Sequence, residues 1–212
     1  MSFFKIIPLE NSCFSYQDVL DLIHSAFQQW KELGIESSLL NLTVDQFKER
    51  TDGSAVFLAI DNSGTLIGTT TCSVLLNNHG NPYAYNKYSA VKNQMKESGI
   101  GSELLLKEKQ FALESGCRYI ISDTSVFAPW SIKWHKKNGF RVIGLKSFSN
   151  NSYYSYVFRC QLKKTSIWNN LLFTQTVFIC SWVKTRVIKR ADGSLTFLGR
   201  MIVEVLNCLR NQ

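Results

Sequence analysis

The segment from Tyr83 to Ser115 constrains the fold of this chain more than any other. A β-rich run, Tyr83 to Val91, enters a polar loop that holds Gly99 and Gly101, and the helix-favouring run Ser102 to Ser115 follows directly. The first turn of a helix has free backbone N–H groups and a positive dipole end, so a strand, a glycine loop and a helix in this order can form an anion site from main chain. Glycine lets a ligand approach the backbone closely, and Ser102 is predicted to cap the helix. The pattern favours a diphosphate as the ligand.

Taken alone, this loop leaves two alternatives open: a ligand site, or a glycine turn with nothing bound. The spacing argues against two specific phosphate motifs. Gly99-Ile100-Gly101 lacks the third glycine of a dinucleotide-binding fingerprint, and no Gly-Lys-Ser/Thr follows to make a P-loop.

A second motif, Trp134-His135-Lys136-Lys137-Asn138-Gly139-Phe140, follows about one helix and one strand downstream. Together with Lys96-Glu97-Ser98-Gly99-Ile100-Gly101, it resembles the GNAT superfamily of acetyl-CoA-dependent acetyltransferases. The first motif is similar to the family's Arg/Gln-x-x-Gly-x-Gly/Ala pyrophosphate loop, and the second to its Tyr-x-x-x-Gly-Phe segment. The resemblance covers roughly residues 1–162, and the two motifs at this separation are more specific than either alone.

The resemblance implies an α/β (α+β) fold with a mixed, mostly antiparallel central sheet, in which one pair of strands splays apart to admit the pantetheine arm. It also implies acetyl-CoA as the acyl donor and no metal. Lys96 stands at the family's Arg/Gln position, where it keeps a cation but loses a planar, bidentate grip on phosphate. The residues expected to hold CoA are Val91, Lys96, Glu97, Ser98, Gly99, Ile100, Gly101 and Ser102.

Acetyl transfer to an amine requires a base for the amine, polarisation of the thioester carbonyl and an acid for the thiolate. In the family a tyrosine commonly supplies the acid, and His135 stands at its position. His135 can therefore be the acid or a structural helix residue. Main chain near Val91 is expected to polarise the carbonyl. For the base, Asp123 at the end of a short strand is the best carboxylate, while Tyr85 and Glu36 are the alternatives.

Composition and charge restrict the class of protein. Of the 212 residues, 45% are hydrophobic, enough for a sizeable core. Residues 1–162 have a net charge of +2 and residues 163–212 of +6, so the basic character belongs mostly to the C-terminal part. The six cysteines include no Cys-x-x-Cys pair, which argues against a zinc ribbon or a redox pair. The start of the chain does not resemble a signal peptide, and we expect a reducing, cytoplasmic compartment.

Periodicity predicts strands over residues 3–8, 55–60, 65–75, 83–91, 119–124, 140–148 and 153–162, and helices over 16–33, 44–50, 102–115 and 130–138. We expect residues 1–162 to form the acyltransferase domain and residues 163–212 a basic, amphipathic helical extension. In the extension, Leu198, Met201, Ile202, Val205 and Leu206 form an apolar stripe. Packing of this stripe on the domain or on a second copy, giving a homodimer, is favoured over contact with a membrane surface.

The sequence therefore predicts an acetyl- or acyl-CoA-dependent N-acetyltransferase that acts on a small-molecule amine. Aromatic residues on the expected acceptor side suit stacking on a sugar or nucleotide ring, so an amino sugar, free or nucleotide-linked, is the leading acceptor. A CoA-binding regulatory or interaction module with reduced or no catalysis, and a protein N-acetyltransferase, are the alternatives. A nucleic-acid-binding function ranks last, because no nucleic-acid-binding motif accompanies the basic charge of the C-terminal part.

Overall fold

The computed structural model describes the backbone of residues 3–32, 34–35, 37–148, 153–162 and 167–210, with the side chains of residues 32, 167–173 and 204–210 outside the description. The strands are β1 Phe4–Pro8, β2 Ala55–Asp61, β3 Leu66–Leu76, β4 Pro82–Val91, β5 Tyr119–Ser125, β6 Phe140–Ser147 and β7 Tyr154–Gln161. The helices are α1 Tyr16–Glu32, α2 Val44–Thr51, α3 Ile100–Glu114, α4 Pro129–Lys137, α5 Ile167–Val183 and α6 Phe197–Arg210. These bounds confirm the predicted elements of residues 1–162 to within about two residues.

The strands form a mixed, mostly antiparallel sheet in the order β1-β2-β3-β4-β5-β7-β6. The chain divides into two compact units: the first is Met1–Gly34, Ser38–Ser122 and Cys160–Lys163, and the second is Ile35–Ser37, Asp123–Arg159 and Lys164–Gln212. The units cut across the boundary predicted at residue 162, because the C-terminal extension groups with the second half of the sheet.

In the first unit, local hydrogen bonds explain where the elements start and turn. The Asp61 carboxylate accepts the N–H groups of Ser63 and Thr65, both at 2.9 Å, which closes the predicted β2–β3 turn. Ser15 caps α1 by accepting the N–H of Asp18, and Thr43 forms a capping box with Gln46 at the start of α2.

The hydrophobic core of this unit lies between the sheet and the first two helices. Its buried residues include Val19, Leu20 and Ile23 of α1, Phe47 of α2 and Leu58 of β2. On the opposite face, Gly68 of β3 lets α3 pack closely, because a Cβ at that position would lie 2.9 Å from Ile100 Cγ2.

Strand β4 is irregular where it approaches the glycine loop. Its register with β3 passes from Thr71↔Lys87 to Thr69↔Ala90, so β4 has one extra residue there. Tyr88, inside this bulge, has φ 53°. On its other edge, β4 pairs in parallel with β5 only at Ala84↔Ile120 and Tyr85↔Ile121. The ladder between the two strands therefore covers a small part of their length.

In the second unit, α5 packs on β6 through a polar contact. The Ser181 hydroxyl of α5 accepts the N–H of Leu145 at 2.7 Å and donates to the Leu145 carbonyl. Gly144 makes room, since a Cβ there would lie 2.8 Å from Ser181 Oγ. Helix α5, the first helix of the extension, is therefore hydrogen-bonded to the backbone of β6.

Helix α6 leaves several of its apolar side chains exposed to solvent. It packs against the π-helical turn Lys184–Ile188, where Gly199 lies against the Ile188 carbonyl. Leu198 and Met201 are 48% and 47% exposed within one copy of the chain. Of the two predicted alternatives, packing on the domain does not bury these two side chains, because α6 contacts the turn through its Gly199 side. Packing on a second copy stays a prediction. Val205 and Leu206 lie outside the described side chains.

Across the described residues, no helix is both long and apolar enough to cross a bilayer.

Candidate functional site

The predicted CoA loop lies in the first unit, between β4 and α3. It contains the 3₁₀ turn Asn93–Met95 and then Lys96, Glu97 and Ser98, which are exposed. Ser98 donates its hydroxyl to the Met95 carbonyl at 2.6 Å. Glu97 and Gly99 have φ of 67° and 92°, so the chain twice enters the left-handed region before the helix begins.

Helix α3 begins two residues earlier than predicted, and its N-cap is Gly99. Ser102 is not the cap: its N–H and that of Glu103 donate to the Gly99 carbonyl, at 2.9 and 3.1 Å. The prediction failed because the left-handed Gly99 already turns the chain into the helix, which leaves Ser102 inside the first turn.

The first two N–H groups of α3, those of Ile100 and Gly101, have no acceptor within the part of the chain that the structure describes. Ile100 is 1% exposed and anchors this turn in the core. The helix start therefore offers free donors and a positive dipole end on a rigid base, which suits a phosphate. Desolvation lowers the pKa of the Lys96 ammonium, although most of the side chain is exposed.

Val91 contributes a backbone donor on the free edge of β4. The N–H of Lys92 donates to the Ile67 carbonyl at 2.9 Å, which turns Lys92 toward β3. Successive residues of a strand alternate the direction of their N–H groups, so the N–H of Val91 points away from β3.

Tyr85 is half-buried on β4 and pairs with Ile121 of β5. Side chains alternate along a strand, so Tyr85 shares a face with Lys87, whose ammonium reaches the Arg50 carbonyl of α2 at 3.4 Å. Tyr85 therefore faces the side of the sheet on which α1 and α2 lie.

Asp123 lies in the second unit, on β5, and its side chain is partly exposed. Tyr153 is close enough for the Asp123 charge to act on it, and Tyr153 also forms a hydrogen bond with Ser37. Burial is the main cause of the raised pKa of Tyr153, and the negative charge of Asp123 adds to it. We call Ser37, Asp123 and Tyr153 the Asp123 cluster; Glu36 lies outside the described residues.

His135 lies in an aromatic core of the second unit. It is 4% exposed, stacks on Phe158 with ring centroids 4.4 Å apart, and meets Phe140 edge to face. Its Nδ1 lies 2.7 Å from the Ser131 carbonyl, which assigns the proton to Nδ1. Burial lowers the pKa of His135 to about 4, so the imidazole is neutral at pH 7.

Other candidate chemistries find little support. The Cys72 and Cys117 thiols are fully buried, and burial raises the pKa of both, which disfavours a thiolate nucleophile. Among the described side chains, no group of three His, Cys, Asp or Glu residues could hold a metal ion.

Sequence patterns missed the Ser37–Tyr153 hydrogen bond and the buried carboxylate of Glu108 on α3. Ser37 and Tyr153 are far apart in the chain, so no local pattern links them. Glu108 did leave a signal, since it interrupts the buried stripe formed by Ile100, Leu104, Leu105 and Ala112.

Known structures share this fold. An acetyltransferase of the GNAT family from Staphylococcus aureus Mu50 has a TM-score of 0.58 and 20% identity, over 76% of this chain and 99% of that one. The PaiA N-acetyltransferase of Thermoplasma acidophilum, in complex with coenzyme A, has a TM-score of 0.60 and 16% identity over 76% and 99%. The NatC complex bound to Gag peptide and CoA includes a chain with a TM-score of 0.55 and 16% identity over 76% and 100%.

No curated protein matches the sequence of this chain. The model of the acetyltransferase (GNAT) family matches residues 16–140, more than half of the 212 residues and including both the glycine loop and the His135 segment. This chain therefore belongs to the GNAT family of acetyltransferases.

Proposed function

We propose that this acetyltransferase transfers an acetyl or acyl group from CoA to a small-molecule amine. The observation that supports binding of the acyl donor is the Gly99-capped start of α3. There the N–H groups of Ile100 and Gly101 are free to bind the diphosphate of CoA. Acyl-CoA, when bound, supplies an activated thioester. The N–H of Val91 points away from β3, and in this proposal it would polarise the carbonyl oxygen of that thioester.

For the acceptor half, we propose that Asp123 takes the proton from the amine, directly or through water. Asp123 is partly exposed, as a base that reaches an incoming amine must be, and its negative charge adds to the raised pKa of the buried Tyr153. Tyr85 is the second candidate, because it is half-buried and faces the side of α1 and α2.

We propose an amino sugar, free or nucleotide-linked, as the acceptor, on the basis of the aromatic side chains. Several of these are engaged within the fold: Tyr83 stacks on Tyr119 at 5.5 Å, and the Tyr154 hydroxyl donates to the Thr185 carbonyl at 2.7 Å. Trp130 is 37% exposed and Tyr85 is half-buried, so each ring has some surface on which a sugar or nucleotide ring could stack.

A second candidate function is that of a CoA-binding module with reduced catalysis, and the burial of His135 favours it. With a pKa near 4, the imidazolium is present at pH 7 at about one part in a thousand. If the protein is instead an active acetyltransferase, water rather than His135 would protonate the departing thiolate. Protein acetylation is a third candidate, since one structural neighbour is bound to a peptide.

For the extension, we propose contact with a second copy of the chain, giving a homodimer. Trp182 and Ile179 of α5 and Leu198 and Met201 of α6 are between 47% and 60% exposed, so both helices present apolar side chains that a second copy could cover. We place the protein in the cytoplasm because its five described cysteines are all free thiols.

Gly101→Glu tests the CoA loop. The substitution puts a carboxylate and extra bulk in the first turn of α3, where phosphate is proposed to bind. We expect CoA affinity, measured by calorimetry, to fall more than tenfold, or about 1.4 kcal/mol. Lys107→Glu, exposed further along the same helix, is the matched control and should bind CoA nearly as the parent does. An unchanged affinity in folded Gly101→Glu contradicts the proposal.

Asp123→Asn tests the base. The amide keeps the size of the side chain but cannot take a proton, so we expect turnover, followed as thiol release with a panel of amines and amino sugars, to fall at least tenfold while CoA affinity stays the same. Asp192→Asn, an exposed carboxylate in the turn before α6, is the control. If the parent releases no thiol with any amine while binding CoA, the non-catalytic module is the better account.

His135→Phe distinguishes the core role from the predicted acid. The folded pKa is depressed from 6.5 to about 4, so the unfolded chain binds the extra proton between these pH values and stability is lost as pH falls through that window. We expect the variant to lose this acid dependence, at most about 3 kcal/mol between pH 7 and pH 4, and to keep turnover within about twofold. A tenfold drop in turnover, restored by His135→Tyr, would instead support the acid.

Leu198→Glu combined with Met201→Glu tests the homodimer. Two charges in the exposed stripe should convert a dimer to a monomer in analytical ultracentrifugation, because they cannot be buried between copies. Leu113→Glu, similarly exposed on α3, should remain dimeric. A monomeric parent would contradict the proposal, and salt-sensitive binding of that parent to anionic vesicles, lost in the double variant, would support membrane contact.

A further inference from the structure

A set of five polar side chains, four of them buried and one, Ser89, exposed, lies beside the proposed CoA loop and has no role in the chemistry described so far. We propose that Thr70, Asn86, Ser89, Glu108 and Ser122, here called the Glu108 cluster, are positioning residues that hold α3, the β4 bulge and the β4–β5 edge in the arrangement needed for acyl-CoA. This inference rests on the proposed function, because it assigns the cluster to the same donor site.

Glu108 fastens α3 to the sheet. Its carboxyl group is fully buried and forms hydrogen bonds with the Thr70 hydroxyl of β3 at 2.9 Å and with the Asn86 amide of β4 at 2.7 Å. Glu108 lies eight residues after Ile100, or about 12 Å along the helix. Two directional bonds at this distance fix both the rotation of α3 and its position along the axis, and so fix the free N–H groups at its start.

Asn86 and Ser122 join β4 and β5 at the end of their backbone ladder. The last paired residues are Tyr85 and Ile121, and the next residue on each strand is Asn86 and Ser122. At this position the Ser122 hydroxyl donates to the Asn86 side-chain oxygen at 2.9 Å. A side-chain bridge thus continues the contact between the strands for one more step, which sets the point beyond which the edge of β4 is available.

Ser89 connects the same cluster to the bulge. Its hydroxyl lies 2.8 Å from both the Thr70 hydroxyl and the Asn86 amide nitrogen. It follows Tyr88, whose φ is 53°, and precedes Val91 by two residues. These bonds hold the bulge in its irregular conformation and thereby hold the N–H of Val91 in its orientation.

Stability alone does not account for a carboxylate at this place. Burial raises the pKa of Glu108 to about 8, so at pH 7 the carboxyl group is mostly neutral, and its two hydrogen bonds do not offset the cost of burying its charged form. An apolar residue of similar size would pack between α3 and the sheet at lower cost, but it would make no directional bonds. The geometry therefore points to placement of the donor site as the property that the cluster provides.

The test compares three variants of the full chain with the parent. Glu108→Leu removes both hydrogen bonds but keeps an apolar side chain of similar size between α3 and the sheet, and Ser122→Ala removes the bridge between the strands. Ser122→Thr keeps the hydroxyl and should rescue. The control is Thr51→Val, which removes a buried hydroxyl that donates to the Phe47 carbonyl at 2.8 Å at the end of α2.

We expect Glu108→Leu and Ser122→Ala to lower kcat/KM for acetyl-CoA at least tenfold and CoA affinity at least fivefold. Ser122→Thr and Thr51→Val should stay within about twofold of the parent, even if Thr51→Val lowers the melting temperature as much as Ser122→Ala does. Should Glu108→Leu fail to fold, the comparison of Ser122→Ala with Ser122→Thr decides the question. Parent-like kinetics in Ser122→Ala and in folded Glu108→Leu overturn the positioning role, whereas a parent that does not bind CoA overturns the proposed function itself.

Discussion

The unequal hydrogen bonding of the two edges of β4 is the constraint on which the donor site depends. Toward β3 the strand is paired along most of its length, with one bulge, while toward β5 the ladder consists of two residue pairs. Backbone N–H and C=O groups on the unpaired part of an edge need partners, and an extended ligand can supply them. A substrate with an amide-containing arm and a diphosphate, such as acyl-CoA, matches this edge and the start of α3 that follows it. The fold thus offers two adjacent sets of main-chain groups, and side-chain identity matters less for donor binding than backbone conformation does.

This dependence on main chain explains why the departures from the family motif have unequal consequences. Lys96 in place of Arg or Gln would change one side-chain contact in the proposed phosphate site but leaves the N–H groups of Ile100 and Gly101 as they are. His135 in place of tyrosine changes more, because a neutral imidazole with Nδ1 bonded to the Ser131 carbonyl lies among Phe140 and Phe158. The proposed donor site therefore keeps its main-chain groups, whereas the buried, neutral His135 is poorly suited to act as an acid.

Polar groups are used in both units to join helices to strands at defined positions. In the first unit, Glu108 of α3 bonds Thr70 and Asn86; in the second, Ser181 of α5 bonds the main chain of Leu145. Apolar packing tolerates small shifts of a helix along a sheet, whereas a buried hydrogen bond loses its partner when the helix moves by about one ångström. Such bonds give a unique position at some expense of stability. The extension, tied down at α5 and largely exposed along α6, joins the second half of the sheet and still presents an apolar surface.

The sequence by itself determined the elements, their order and the glycine loop, because those depend on local properties. Alternation and amphipathic periods predict strands and helices, the caps Ser15 and Thr43 act within one turn of where they stand, and two motifs at a family-like separation identify the class of enzyme. The cap of α3 is Gly99 rather than the predicted Ser102, because the left-handed conformation of Gly99 starts the helix two residues earlier. Tertiary structure decided which polar residues meet. It placed Glu108 against Asn86, Ser37 against Tyr153, and His135 in a core whose apolar surroundings keep it neutral. Those outcomes depend on burial and on contacts between residues far apart in the chain, and the same side chain has a different pKa and a different role in water than between a helix and a sheet.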